Sequence, residues 1–197
     1  MRNKVRCCVI GVALMVAGAA QAEKGAYLGA SLGQSKYSGS FSKGWSVVNA
    51  NDKPTGGLFF GGYQFDSKFA IESGFGVMGA YTGTAAYQLD RSNFRYHFYE
   101  NAVVVYAAAK GTIDLGSNFS LYGKAGMSGN NSIYKESGRA KSDNDKIKYN
   151  AMGAIGVQYQ IAPHFIVGLE YANFGKIIKG AEMSVSHLGV NGRYHFY

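Results

Sequence analysis

Cysteine is almost missing from this chain: of 197 residues only two are cysteine, Cys7 and Cys8, and both lie within the first ten positions. The rest of the chain therefore has no disulfide framework, no thiol nucleophile and no cysteine-ligated metal. Proline is equally scarce, 2 residues against 28 glycines, so a proline-rich disordered chain and a collagen are both excluded. Charged residues make up only 16% while aromatics reach 14%, and a chain so rich in groups that bury surface is not intrinsically disordered. Beyond residue 22 there is no uncharged run long enough for a transmembrane helix, which excludes a helical membrane protein.

What is present begins with MRNKVRCCVIGVALMVAGAAQA. Arg2, Lys4 and Arg6 form a positive start, Cys7 to Ala17 an apolar stretch, and Ala20-Gln21-Ala22 a small-x-small cleavage site. The pattern predicts a secretory signal peptide over 1–22 and a mature chain over 23–197. Both cysteines leave with the signal, so the exported protein has to be held by its backbone ladder rather than by staples. Loss of the three basic residues lowers the formal charge of +8 by three, a mild excess that gives no reason to expect nucleic-acid binding.

Helical periodicity is hard to find in the mature chain, whereas period-2 alternation recurs in segments of about ten residues separated by turn-rich stretches. Eight such segments are expected, near 26–36, 55–65, 69–81, 94–110, 119–128, 146–161, 165–174 and 183–196. Tight turns such as Asp66-Ser67-Lys68 and Ala162-Pro163-His164 alternate with long polar stretches at 37–54, 82–93 and 129–145. Long loops at one end and short turns at the other are the pattern of an outer-membrane barrel.

Face composition separates a membrane barrel from a soluble one. Phe165, Val167, Leu169 and Tyr171 share one face against Ile166, Gly168, Glu170 and Ala172. Phe69, Ile71, Phe75 and Val77 likewise oppose Ala70, Glu72, Gly74 and Gly76. The second face is too small and too sparsely charged to be a solvated exterior. It suits the filled interior of an eight-stranded barrel, which leaves the bulky face for lipid. Because hydrocarbon offers backbone groups no water, strands span it only as a closed barrel, and eight satisfies the even count. Tyr63, Tyr159 and Tyr171 are expected near strand ends as interfacial girdle residues.

GLFFGGYQFDSKFAIESGFG (Gly57 to Gly76) and GVQYQIAPHFIVGLEY (Gly156 to Tyr171) resemble two hairpins of the outer membrane protein A family. The resemblance extends in strand and loop order over essentially the whole mature chain. It implies an all-β, eight-stranded antiparallel up-and-down transmembrane barrel, monomeric and inserted by the barrel-assembly machinery. The chain stops at Tyr197, so the peptidoglycan-binding domain of the larger members is not expected. The register Leu188, Val190, Gly192, Tyr194, Phe196 matches an assembly signal, with Tyr197 one residue beyond it.

Glu72, Glu170 and Lys110 match positions where the family places inward charges, and Lys124 is an inward base on the fifth strand. Opposite charges that meet can persist in a lumen where isolated ones cannot, so a network of Glu72, Lys110, Lys124 and Glu170 is expected. In family terms such a network plugs or gates a narrow passage; Lys176 and Lys179 are further basic candidates near the long-loop end. The third loop, read here as Asn130 to Lys146, carries Lys135, Arg139, Lys141 and Lys146, a basic set suited to lipopolysaccharide phosphates or a host surface. Neither a catalytic site, a metal site nor a cofactor is expected. The histidines are scattered, and Ser186 and His187, adjacent on a strand, point to opposite faces. The repeat Arg95-Tyr96-His97-Phe98-Tyr99 and Arg193-Tyr194-His195-Phe196-Tyr197 reads as rim composition. The function expected is structural and surface-exposed, available for adhesion or host interaction; the alternative is a narrow solute or ion channel gated by the luminal charges.

Overall fold

The computed structural model describes residues 24–39, 45–51, 53–89, 92–136, 147–177 and 183–196. Alternation of bulky apolar and small or polar residues yields nine strands: β1 (Gly25–Ser38), β2 (Trp45–Asn51), β3 (Thr55–Gln64), β4 (Phe69–Leu89), β5 (Ser92–Gly116), β6 (Phe119–Glu136), β7 (Lys148–Ala162), β8 (Phe165–Lys176) and β9 (Ser184–Phe196). They pair in the order β2-β4-β3-β1-β9-β8-β7-β6-β5, and pairing of β4 with β5 closes the ring. Every pairing is antiparallel.

Nine strands make eight staves. β3 pairs with β4 over Ala70 to Val77, and β2 takes over on the same edge from Thr82 to Tyr87. The break between them falls at Pro54, which has no N–H to give a ladder. It lies alongside an irregularity in β4 between Val77 and Ala80, where Gly79 has φ +72° and its carbonyl accepts the Tyr37 hydroxyl at 2.7 Å.

The staves are longer than their sequence suggests. The stretch 82–93, expected as a polar loop, is the top of the β4–β5 hairpin, paired as far as Leu89 with Ser92. β6 pairs β5 up to Glu136, and β2 occupies much of the first expected loop. Above the membrane a strand no longer needs an apolar outward face, so the alternation that marks it lower down fades while the ladder continues. From the irregularity to its tip, β4 rises by about 30 Å along the strand at roughly 3.3 Å per residue.

The short turns follow local chemistry. Ser117 and Asn118 both have positive φ, 52° and 67°, the type I′ geometry that matches strand twist. The turn after β3 is fixed by Asp66, whose Oδ1 accepts the backbone N–H groups of Lys68 and Phe69, each at 2.7 Å.

The outer surface is apolar. Leu32, Phe59, Phe75, Met127, Ile155, Leu169 and Val190 are all exposed, an apolar area far beyond what a water-soluble monomer leaves uncovered. Tyr63, Phe69, Phe119, Tyr159, Phe165, Tyr194 and Phe196 ring the short-turn end as an aromatic girdle. Tyr171 faces out but pairs with Ile155 and Leu188 at the middle of the staves, so it belongs to the apolar band rather than to the girdle.

Candidate functional site: charged layers in the lumen

The inward face is small at the backbone and large at a few side chains. Tyr27, Tyr106 and Tyr122 point inward and are buried. Each crosses a glycine of a neighbouring strand. A Cβ on Gly62 would lie 2.5 Å from the Tyr27 ring, one on Gly156 2.5 Å from the Tyr122 ring, and one on Gly74 2.6 Å from the Tyr106 ring. Glycine at these positions is what admits the three rings.

The rings carry their hydroxyls to two carboxylates from opposite walls. Tyr27 donates to Glu72 Oε2 at 3.0 Å, Tyr106 to Glu72 Oε1 at 2.6 Å, and Tyr122 to Glu170 Oε2 at 2.8 Å. Lys124 Nζ lies between the carboxylates, 2.6 Å from Glu72 Oε1 and 2.6 Å from Glu170 Oε2. Asn191 donates to the Tyr122 hydroxyl at 3.1 Å, closing a chain from β4 through β6 to β8 and β9. Glu72 is 3% and Lys124 7% exposed, so these charges persist only because each has an opposite charge beside it and the carboxylates accept from tyrosine hydroxyls.

Lys110 does not join this group, which corrects the single network expected from sequence. Lys110 and Lys124 are direct partners across β5 and β6, both inward. Like charges placed opposite repel, and the two long side chains part. Lys124 goes to the carboxylates, whereas Lys110 Nζ donates to Gln158 Oε1 at 3.2 Å and sits 4.2 Å from the Tyr122 ring centroid. Arg193 Nη2 donates to the same Gln158 oxygen at 2.5 Å, with its guanidinium 5.4 Å from the Tyr27 ring. The lumen thus holds two layers: carboxylates bridged by a lysine, and, nearer the short-turn mouth, two cations on one neutral oxygen. Tyr27 and Tyr122 form the partition, hydroxyls on the first layer and ring faces on the second.

Sequence reading missed the tyrosines, Gln158 and Arg193. An inward Tyr beside an inward Gly was the available signal. Arg193 stood in a repeat taken as rim composition, yet it is 4% exposed and inward.

Toward the long loops, His187 sits between two β1 hydroxyls, Nε2 3.4 Å from Ser31 Oγ and Nδ1 3.3 Å from Ser35 Oγ. Ser186 is not its partner. Lys176 is exposed, Lys135 is described only for its backbone on β6, and Lys179, Arg139, Lys141 and Lys146 lie outside the described residues. Among the described residues, no group of three or more His, Cys, Asp or Glu is arranged to hold a metal ion.

A sequence model of the outer membrane protein beta-barrel domain matches residues 6–196. No curated protein matches the chain. Among solved structures, Neisserial surface protein A (NspA) is similar at 18% identity and a TM-score of 0.61, covering 89% of this chain and 100% of that one. OprG from Pseudomonas aeruginosa gives 11% identity and a TM-score of 0.57, with 89% and 98% covered. Ail, the attachment invasion locus protein of Yersinia pestis, in complex with the heparin analogue sucrose octasulfate, gives 16% identity and a TM-score of 0.56, with 88% and 99% covered. At these identities the likeness is one of fold.

Proposed function

The chain belongs to the outer membrane protein beta-barrel domain family, and on that premise we propose that it is a closed, surface-exposed barrel of the bacterial outer membrane whose work is done by the wall and loops outside the lipid. One observation carries this reading: the Glu72–Lys124–Glu170 bridge fills the lumen while β2, β4, β5 and β6 extend well past the apolar band. A barrel sealed within and built tall at one end offers a platform rather than a wide pore.

On this reading the leader 1–22 is removed after Ala22, and the remainder is a monomer inserted by the barrel-assembly machinery. The stretch 130–146, with Lys135, Arg139, Lys141 and Lys146, is the segment suited to anionic partners, either lipopolysaccharide phosphates or a host surface. The complex of Ail with a sulfated heparin analogue supports anionic sugars as the class to test. Guanidinium and ammonium groups recognise sulfate and phosphate oxygens through charge-assisted hydrogen bonds.

Trypsin added to intact cells tests the orientation. Cleavage is expected at Arg139, Lys141 or Lys146 with Lys68 protected; cleavage at Lys68 in intact cells overturns it. Retention on heparin that is lost when Arg139, Lys141 and Lys146 become Gln tests the ligand class.

A second reading, a narrow passage gated by the luminal charges, is favoured by the single lysine shared between two carboxylates, since one swing of Lys124 would open the seal. Planar-bilayer conductance decides: currents that change in Glu72→Gln support a gate, and a silent wild type with a silent variant supports the sealed barrel.

A further inference from the structure

The layer nearer the short-turn mouth is short of acceptors. Lys110 is 1% and Arg193 4% exposed, and among the described residues neither has a carboxylate within 4 Å. Both give one N–H to Gln158 Oε1, so the two cations are no farther apart than the sum of those two hydrogen-bond lengths. Arg193 Nε is buried with no hydrogen-bond partner. In a guanidinium Nε–H lies on the same fork edge as one N–H of Nη2, so the open donor is next to the nitrogen that holds Gln158. The Tyr27 and Tyr122 hydroxyls are committed to the upper layer and offer only ring faces here. Face-on attraction to a ring supplies about 2 kcal/mol or more for a desolvated cation, still short of what an unpaired buried charge requires.

We propose that Lys110, Arg193 and Gln158 form a binding site for one small monovalent inorganic anion of the halide class, held inside the lumen one to two residue layers above the short-turn mouth. The ion accepts from Arg193 Nε and from the free N–H groups of Lys110, and supplies the negative charge that the protein places only in the layer above. Tyr27, Tyr122, Gln158 and His195, all buried and the last stacked on the Tyr27 ring at 5.0 Å, crowd the pair, which favours a small ion over a larger carboxylate-bearing solute. The site is independent of what the surface loops bind and requires only the barrel fold.

Bromide is the probe. Crystals of the detergent-folded wild-type barrel grown with bromide in place of chloride, measured at the bromine absorption edge, are expected to show one anomalous peak within hydrogen-bond reach of both Arg193 Nε and Lys110 Nζ. A lumen without such a peak, or bromide found only on the outer surface, overturns the proposal.

A second measurement works without crystals. The melting temperature of the folded barrel in detergent is compared between chloride and gluconate at fixed ionic strength, because an ion that binds only the folded state raises stability with its concentration. Wild type is expected to melt higher in chloride. Arg193→Gln and Lys110→Met are expected to need about tenfold more chloride for the same gain, a loss of about 1.4 kcal/mol in binding. Halide dependence unchanged in both variants overturns the site. Should either variant fail to fold, the other variant and the wild-type bromide position still decide.

Discussion

The two luminal layers share the Tyr27 and Tyr122 rings and solve opposite problems. In the upper layer Glu72 and Glu170 share Lys124, and Tyr27, Tyr106 and Tyr122 donate their hydroxyls to the two carboxylates. In the lower layer Lys110 and Arg193 share one amide oxygen with no counter-charge. What distinguishes them is not burial, which is nearly complete in both, but whether opposite charges meet. That difference fixes the sign of what a substitution does. Removing the shared cation above leaves two buried carboxylates facing each other, whereas removing one cation below relieves a repulsion.

The largest expected effect is therefore Lys124→Met. Loss of one partner of a buried ion pair costs about 3–5 kcal/mol because the other charge is stranded. Equilibrium unfolding of the barrel in detergent by urea measures it, and a loss under about 1 kcal/mol would remove the upper layer as the element that holds the staves together.

Next in size is Gly156→Ala. The new methyl would lie 2.5 Å from the Tyr122 ring and 2.6 Å from the Leu169 carbonyl oxygen, so both ring and backbone have to shift. Overpacking of this kind costs about 1–3 kcal/mol. Because Tyr122 serves Glu170 with its hydroxyl and Lys110 with its face, the substitution disturbs both layers at once. Its effect should shrink when combined with Lys124→Met, since the hydroxyl's partner is then already displaced. Strict additivity in that pair would show that the tyrosine partition couples nothing.

Smaller again, and of the other sign or near zero, is Lys110→Met measured in gluconate, where no halide offsets the lower pair. Replacing a buried charge by an apolar side chain of similar length is expected to change stability by no more than about 1 kcal/mol, on the stabilising side. A loss comparable to that of Lys124→Met would mean that the lower cations are paired in a way the geometry does not suggest.

How much of this was legible in sequence follows from the physics of each feature. Inward and outward faces were legible because a strand has period 2, and a register slip would turn every lipid-facing side chain inward. Glu72 and Glu170 stood out as lone charges on a face of glycine and alanine. The division into two layers was not legible. It depends on Lys110 and Lys124 being cross-strand partners, and the register of β5 against β6 is set by the Ser117–Asn118 turn and the irregularity beside it rather than by composition. Tyr27, Tyr106 and Tyr122 were not legible, because their place over Gly62, Gly74 and Gly156 is a relation between strands far apart in sequence. The strands above the lipid were read as loops because the outward apolar positions that advertise a membrane stave are not required there.

The smallest effect sharpens the comparison from outside the membrane. The Asp66 carboxylate, fully in solvent at a short turn, accepts two backbone N–H groups, and these hold its pKa below the ordinary aspartate value, the bond from Lys68 contributing most. A group whose folded pKa is depressed stabilises the fold above its unfolded pKa and loses that contribution as pH falls through the folded value. The turn should therefore be fully ordered at neutral pH and loosen only below the ordinary aspartate range. Amide exchange at Lys68 and Phe69, followed from about pH 5 to about pH 2 and corrected for intrinsic rates, is expected to lose protection on the acid side, and Asp66→Asn is expected to flatten that dependence.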